Sequence, residues 1–166
     1  KSNKPYIIVA PVSLLENWEN EYLKFFKKRS LEITKLYGNI EISRQFNKDD
    51  VNKLQSKELI LTNYETLRNY QLNICAVNFS IAVLDEAQKI KTPGTLITNV
   101  TKAIKSDFKI AMTGTPVENG LVDLWCIMDF AVPGLLGNAK EFSKEYQSPL
   151  KKEDTDISAL CENLRK

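Results

Sequence analysis

Asp85 and Glu86 stand side by side directly after an apolar run, Ile81-Ala82-Val83-Leu84. Like charges repel, and close to a core they also lose solvation, so the pair costs energy unless something compensates. A divalent cation would do so. So would a helix beginning at the pair, because acids suit the positive end of a helix dipole. Three other polar clusters follow apolar runs in the same way: Pro11 to Ser13, Thr62 to Tyr64, and Thr113 to Pro116.

The chemistry open to these residues is bounded by composition. The 166 residues contain no histidine, which removes His-containing zinc sites, Ser-His-Asp triads and Cys-His proteases. Cys75, Cys126 and Cys161 are far apart, form no Cys-x-x-Cys pair, and read as reduced thiols of an intracellular protein. With 23 basic and 21 acidic residues the net charge is +2, so a phosphate-binding surface must come from local clustering. The length suits one domain, and 43% hydrophobic residues suffice for a core. No apolar run approaches a membrane span, and no signal-peptide pattern opens the chain. The start, Lys1-Ser2-Asn3-Lys4-Pro5, reads as a cut end.

The elements that must position the clusters alternate between strand and helix. Tyr6 to Ala10 reads as a buried strand ended by Pro11. Ser13-Leu14-Leu15-Glu16 has the form of a capping box, opening a helix with Leu14, Leu15, Trp18, Tyr22, Phe25 and Phe26 on one face. On that face Trp18 reads as core, and so does Trp125. Further strands are expected at 31–37, 59–62, 81–84 and 109–113. Helices are expected from about Glu65, from Thr95 (burying Leu96, Ile97, Val100, Ala103 and Ile104) and from Leu121 (Leu124, Trp125 and Met128 on one face). The polar stretch 41–55 reads as partly helical. A shorter helix around Lys140 and a terminal one from Asp156 complete the pattern. Strands alternating with helices imply an α/β fold, a three-layer parallel sheet with helices on both faces. Ligands bind such sheets at the carboxyl ends of the strands, which is where all four polar clusters fall.

An apolar strand ending in Asp-Glu is also the Walker B arrangement of ATP hydrolases. "DEAQKIK", Asp85 to Lys91, resembles the second motif of superfamily 2 helicases, the DEAD/DEAH group. "AMTGTPVEN", Ala111 to Asn119, resembles the third motif of the SWI/SNF-type DNA translocases in that superfamily. "IIVAPVSLLENWENE", Ile7 to Glu21, resembles their motif Ia, and "LILTNYETLR", Leu59 to Arg68, their motif Ib. "FAVPGLLGNAKEFSKEY", Phe130 to Tyr146, is similar to the stretch closing the family's first lobe. The resemblance implies a RecA-like lobe over 1–150, with 151–166 a helical extension leading towards a second RecA-like lobe. It implies ATP and Mg²⁺ as ligands. Asp85 would hold Mg²⁺ through water, and Glu86 would be the catalytic base. Gln88 would complete the nucleotide side as a hydrogen-bonding, non-titrating residue. Thr113, Gly114 and Thr115 would couple nucleotide state to DNA, with Gly114 permitting an unusual turn. Pro11, Ser13, Thr62 and Tyr64 would line a track for double-stranded DNA, meeting phosphates without reading sequence. For Ser13 a purely capping role stays open beside this one, and for Thr113 to Pro116 a simple turn.

None of the six glycines precedes a lysine, so the phosphate loop G-x-x-x-x-G-K-[ST] is absent from these residues. The resemblance places that loop and its strand upstream, beside the strand 109–113, whose edge would then be open here. On this reading the chain alone should hydrolyse ATP negligibly. The whole protein would be an ATP-dependent double-stranded DNA translocase remodelling DNA-bound complexes, with RNA polymerase or nucleosomes among the possible partners and no membrane. Its place would be the cytoplasm or nucleoid of a bacterium, or a eukaryotic nucleus. The rival reading is a degenerate, non-catalytic lobe kept for protein or DNA contacts. A restriction-type or RNA-directed motor fits the third motif and motif Ib less well.

Overall fold

Strand β1, Tyr6–Val9, is flanked by β3 and β4 and is apolar towards both faces of the sheet, as a central strand must be. The computed structural model describes residues 4–26, 31–117 and 120–147. Within them five strands, β1, β2 (Ile33–Leu36), β3 (Leu59–Thr62), β4 (Asn78–Leu84) and β5 (Lys105–Ala111), form one sheet in the order β2-β3-β1-β4-β5. Every pairing is parallel, with Ile8 opposite both Leu61 and Val83, and Val83 opposite Ile110. The expected three-layer α/β sheet is what the chain forms.

Alternation along the strands sends Ile7, Val9, Ile60, Ala82 and Leu84 to one face. There they meet Leu54 of α2 (Lys48–Gln55), Leu67 of α3 (Tyr64–Asn69), Ile74 of α4 (Gln71–Ile74), Val100 of α5 (Leu96–Ala103), and Ile127 and Phe130 of α6 (Leu121–Ala131). The other face turns Ile8, Ala10, Leu59 and Leu61 towards Leu15, Leu14, Trp18 and Tyr22 of α1 (Val12–Phe25). A short helix, α7 (Ala139–Phe142), continues into a π-helical turn and seats the buried Phe142 beside Trp125.

Several local readings change. The capping box does not form: α1 begins at Val12 with Pro11 as N-cap and no side-chain cap. Pro11 turns the chain straight from β1 into the helix, with Leu14 N donating to its carbonyl at 2.9 Å. Ser13 therefore sits one residue inside the helix, where its hydroxyl no longer faces the free amides a cap serves. In the stretch 41–55 only the second half is helical, and Asn47 caps it by accepting from Asp49 N and Asp50 N. The preceding loop is held by the fully buried Asn73, whose Nδ2 donates to Ser43 O and Gln45 O and whose Oδ1 accepts from Asn47 N.

Helix α5 buries Thr98, Val100 and Thr101, leaving Leu96 52% exposed and Ala103 exposed as well. Thr98 can be buried because its hydroxyl donates to the carbonyls of Ile90 and Thr92, so the helix packs on that turn. In α6 the buried face is Asp123, Trp125, Cys126, Ile127 and Phe130, with Leu124 and Met128 only half-buried. Trp125 is core as expected, its Nε1 donating to Gly137 O and the Lys102 ammonium lying 4.3 Å from its ring. The 151–166 extension and Glu118-Asn119 of the third motif lie outside the described residues.

The α1 face is only half covered. Phe108, Ile110 and Met112 are 70%, 44% and 41% exposed, and β5 is the sheet's edge. Between α1 and this bare half runs an apolar groove of about 380 Å³, bounded by Tyr22, Phe26, Ile8, Ile81, Val83 and Ile110. An open edge beside exposed apolar side chains is a template for strand pairing. The 166-residue chain by itself is expected to self-associate with rising concentration in sedimentation velocity, and Ile110→Lys to shift it towards monomer. A wild-type chain that stays monomeric at high concentration would count against this.

Candidate active site

The end of β4 is fixed before its acids are reached. Met112 N donates to Leu84 O at 2.8 Å, Asp85 N to Val9 O at 2.9 Å and Ala87 N to Met112 O at 2.8 Å. The chain must turn sharply between these anchors. Glu86 does so with φ 52° and ψ 51°, the one non-glycine residue at positive φ among the described residues. That conformation costs a side chain with a Cβ roughly 1–2 kcal/mol. A 3₁₀ turn, Ala87–Ile90, follows, so no regular helix starts at the acids.

Each carboxylate is held. Asp85 Oδ1 accepts from Glu86 N at 2.9 Å, and Asp85 Oδ2 accepts from Trp18 Nε1 at 2.7 Å. The Tyr64 hydroxyl donates to the Asp85 carbonyl at 2.7 Å. Burial, then the charges of Asp85 and Glu86, push the Tyr64 phenol well above its ordinary pKa, so it stays a donor. Glu86 Oε2 accepts from Gln88 Nε2, and Gln88 Oε1 accepts from the Thr113 hydroxyl at 2.7 Å. Thr113 Oγ1 in turn accepts from Thr115 N at 3.1 Å. One continuous chain of hydrogen bonds thus joins the acid after β4 to the loop after β5.

The structure brings Asp85, Glu86, Gln88, Thr113 and Thr115 together with Tyr64. Gly114 lies in this loop, but its φ is outside the left-handed region, and a β-carbon there would have no heavy atom within 4 Å. The unusual turn expected at Gly114 occurs at Glu86 instead. Pro11 and Ser13 open α1 at the same edge, with Ser13 exposed. Thr62 is wholly buried, and its hydroxyl donates to Leu36 O at 2.7 Å, closing the end of β2 and facing no solvent. Trp18 is the residue that sequence reasoning missed. Its helix face pointed to core, yet it is half-buried with its N–H on Asp85. The signal available was that an indole carries a donor which needs a partner when buried.

The two carboxylates offer only oxygen ligands, suited to a hard cation that keeps waters and shares substrate phosphates, while Gln88 turns its Nε2 donor to Glu86 and its oxygen to Thr113. Among the described residues no group of three or more His, Cys, Asp or Glu could hold a metal by itself. Nor is there, among the described residues, a helix long and apolar enough to cross a membrane. Burial raises the Cys75 and Cys126 thiols to about 11, which disfavours the reactive thiolate.

The five-stranded parallel sheet with helices on both faces and acids at its carboxyl edge has the fold of a RecA-like lobe. The chain matches the SNF2-related domain over residues 1–166, and it belongs to that family. It is 45% identical to Zorya protein ZorD of Escherichia coli O139:H28, aligning 97% of this chain with 16% of that protein. To the DNA excision repair protein ERCC-6-like 2 of Mus musculus it is 38% identical, over 90% of this chain and 9% of that one. The Sulfolobus solfataricus SWI2/SNF2 ATPase core in complex with dsDNA superposes with a TM-score of 0.76 at 36% identity, over 95% of this chain and 32% of that structure. The chain therefore spans less than a third of these proteins' lengths.

Each neutral thiol is favoured by folding, so its contribution to stability is present below pH 9.0 and fades as pH rises through about 11. Cys75 and Cys126 are accordingly expected to react with a disulfide reagent at pH 8 far more slowly in the folded protein than in urea. Equal rates in the two states would contradict the burial.

Proposed function

We propose that the chain is the acid-bearing part of the first lobe of an ATP-dependent translocase on double-stranded DNA. The observation that carries this reading is the hydrogen-bonded path from Glu86 through Gln88 to Thr113. It gives the acid beside a reacting phosphate a mechanical connection to a loop at the sheet's edge. Such a connection has no evident use in a lobe kept only for contacts, and so it favours the motor over the degenerate module. Family membership and the DNA-bound structural relative support it.

In the proposed mechanism Asp85 is the residue that would hold Mg²⁺. The ion would supply charge neutralisation for the transferred phosphoryl group. Glu86 takes the proton of the attacking water, its carboxylate oriented by Gln88. Gln88 has both ends engaged, so a change at Glu86 must either break its bond to Thr113 or move that residue. Thr113 to Thr115 then pass nucleotide state on, while Pro11 and Ser13 at the start of α1 offer backbone amides and a hydroxyl to DNA phosphates. A phosphate loop and a second lobe with arginine fingers would complete the site from elsewhere in the protein. The place of action would be the cytoplasm or nucleoid in a bacterium, or the nucleus in a eukaryote. Cargo such as RNA polymerase or a nucleosome would be set by other segments.

ATP turnover by the full-length protein is expected to rise on adding double-stranded DNA. Glu86→Gln should lower it by about 10²–10⁴-fold, the range for removing a general base, while nucleotide binding survives. The 166-residue chain alone should turn over ATP negligibly. Absence of DNA-stimulated turnover in the wild type would hand the site to the interaction-module reading. Turnover by the isolated chain that Glu86→Gln abolishes would show that the phosphate-binding half is here after all.

A further inference from the structure

The Asp85 carboxylate has two oxygens, and the neighbouring amide of Glu86 orients only one of them. The other is met by a side chain 67 residues earlier, the indole of Trp18, at 2.7 Å. An indole N–H donates and cannot accept, so this bond has one polarity, with the carboxylate oxygen as acceptor. Bonds from a neutral donor to a charged oxygen are shorter and stronger than those between neutral partners. They also lock a rotamer: with Oδ1 tied to the backbone and Oδ2 to Trp18, the plane of the carboxyl group is fixed. The bond borders a cleft of about 270 Å³ bounded by Leu14, Asn17, Trp18, Glu21 and Asp85, so the acid is steadied at an open rim and not inside the core.

The helix that carries Trp18 is the one that opens with Pro11 and Ser13. Its inner face is clamped on the sheet by the buried Leu15, and Tyr22 fastens its far end by accepting from Leu31 N. The indole thus stands on a fixed support, and any shift of α1 along the sheet acts directly on Asp85.

We propose that Trp18 is a positioning residue, whose indole N–H sets the Asp85 carboxylate for cation binding and ties it to helix α1. This deepens the function proposed above and rests on that reading of Asp85.

The test uses the full-length protein and Trp18→Phe, which keeps an aromatic ring and loses the donor. Mn²⁺ binding in the presence of ADP, followed by electron paramagnetic resonance, is expected to weaken about tenfold, the lower end for losing a group that orients a metal ligand. The Mg²⁺ concentration for half-maximal ATP turnover should rise alike, with kcat at saturating Mg²⁺ little changed. A residue that only supported the fold would lower the melting temperature and leave this split absent. Trp125→Phe, which removes an indole bond to Gly137 O, should leave Mn²⁺ binding as in the wild type. Unchanged Mn²⁺ affinity in Trp18→Phe overturns the proposal and leaves the ATP-site reading standing, whereas a wild type that binds no Mn²⁺ with ADP overturns both. Should Trp18→Phe fail to fold, the indole N–H resonance of Trp18 decides: it should move upfield in Asp85→Ala, and a resonance that stays in place overturns the proposal.

Discussion

Adjacent carboxylates at the rim of an apolar sheet repel each other, and the geometry around them exists to hold them in place despite that repulsion. Asp85 is gripped by the Glu86 amide, by Trp18 and, through its carbonyl, by Tyr64. Glu86 is gripped by Gln88 and swings away into the left-handed region. Hydrogen bonds to charged groups contribute about 1.5–3 kcal/mol each, enough to offset the strain of one left-handed residue. Three elements that never touch in sequence, α1, α3 and the loop after β5, are required at one place by this demand. The parallel sheet meets it, because it delivers the carboxyl ends of β1, β3, β4 and β5 to the same edge.

The sheet could be read from the sequence because its strands are short, β-branched and bounded by breakers. Leu59-Ile60-Leu61-Thr62 emerged with the limits expected of it. Strands β4 and β5 extend further back, through Asn78 and Lys105, because ladder bonds to a neighbour can enrol polar residues such as Asn78, Ser80, Ser106 and Asp107, and β5 ends at Ala111, two residues short of the expected limit. Helix starts were less legible. A serine three residues before a glutamate has the pattern of a cap, but Pro11 begins the helix before Ser13 is reached. Apolar periodicity in α5 and α6 gave part of the stripe: Val100, Ile104 and Trp125 are buried as expected, but Thr98 and Thr101, counted as polar, join them because their hydroxyls find carbonyl partners.

The acids of the site were legible for the same reason as the strands, since their position follows from the end of β4. Their partners were not. Trp18 and Tyr64 make side-chain bonds across 67 and 21 residues of sequence, and nothing local distinguishes a core indole from one whose N–H reaches a carboxylate. Gly114 misled in the opposite direction. A glycine between two threonines suggests a special backbone, yet the strained residue is Glu86, held there by tertiary bonds that outweigh its own preference.

Gln88 separates two ways of building the same connection. An imidazole at that place could pass a proton between Glu86 and Thr113 and would gain or lose charge near neutral pH. The amide does neither. Its Nε2 can only donate, which suits an oxygen of the Glu86 side chain, and its Oε1 can only accept, which suits the Thr113 hydroxyl. The direction of every bond in the path is therefore set by atom type and does not change with pH over the range where histidine titrates. With no histidine anywhere in the 166 residues, the link between the acid and the loop is a matter of position alone. Whatever displaces Glu86 is transmitted as a displacement, and the protonation state of the relay drops out of the coupling.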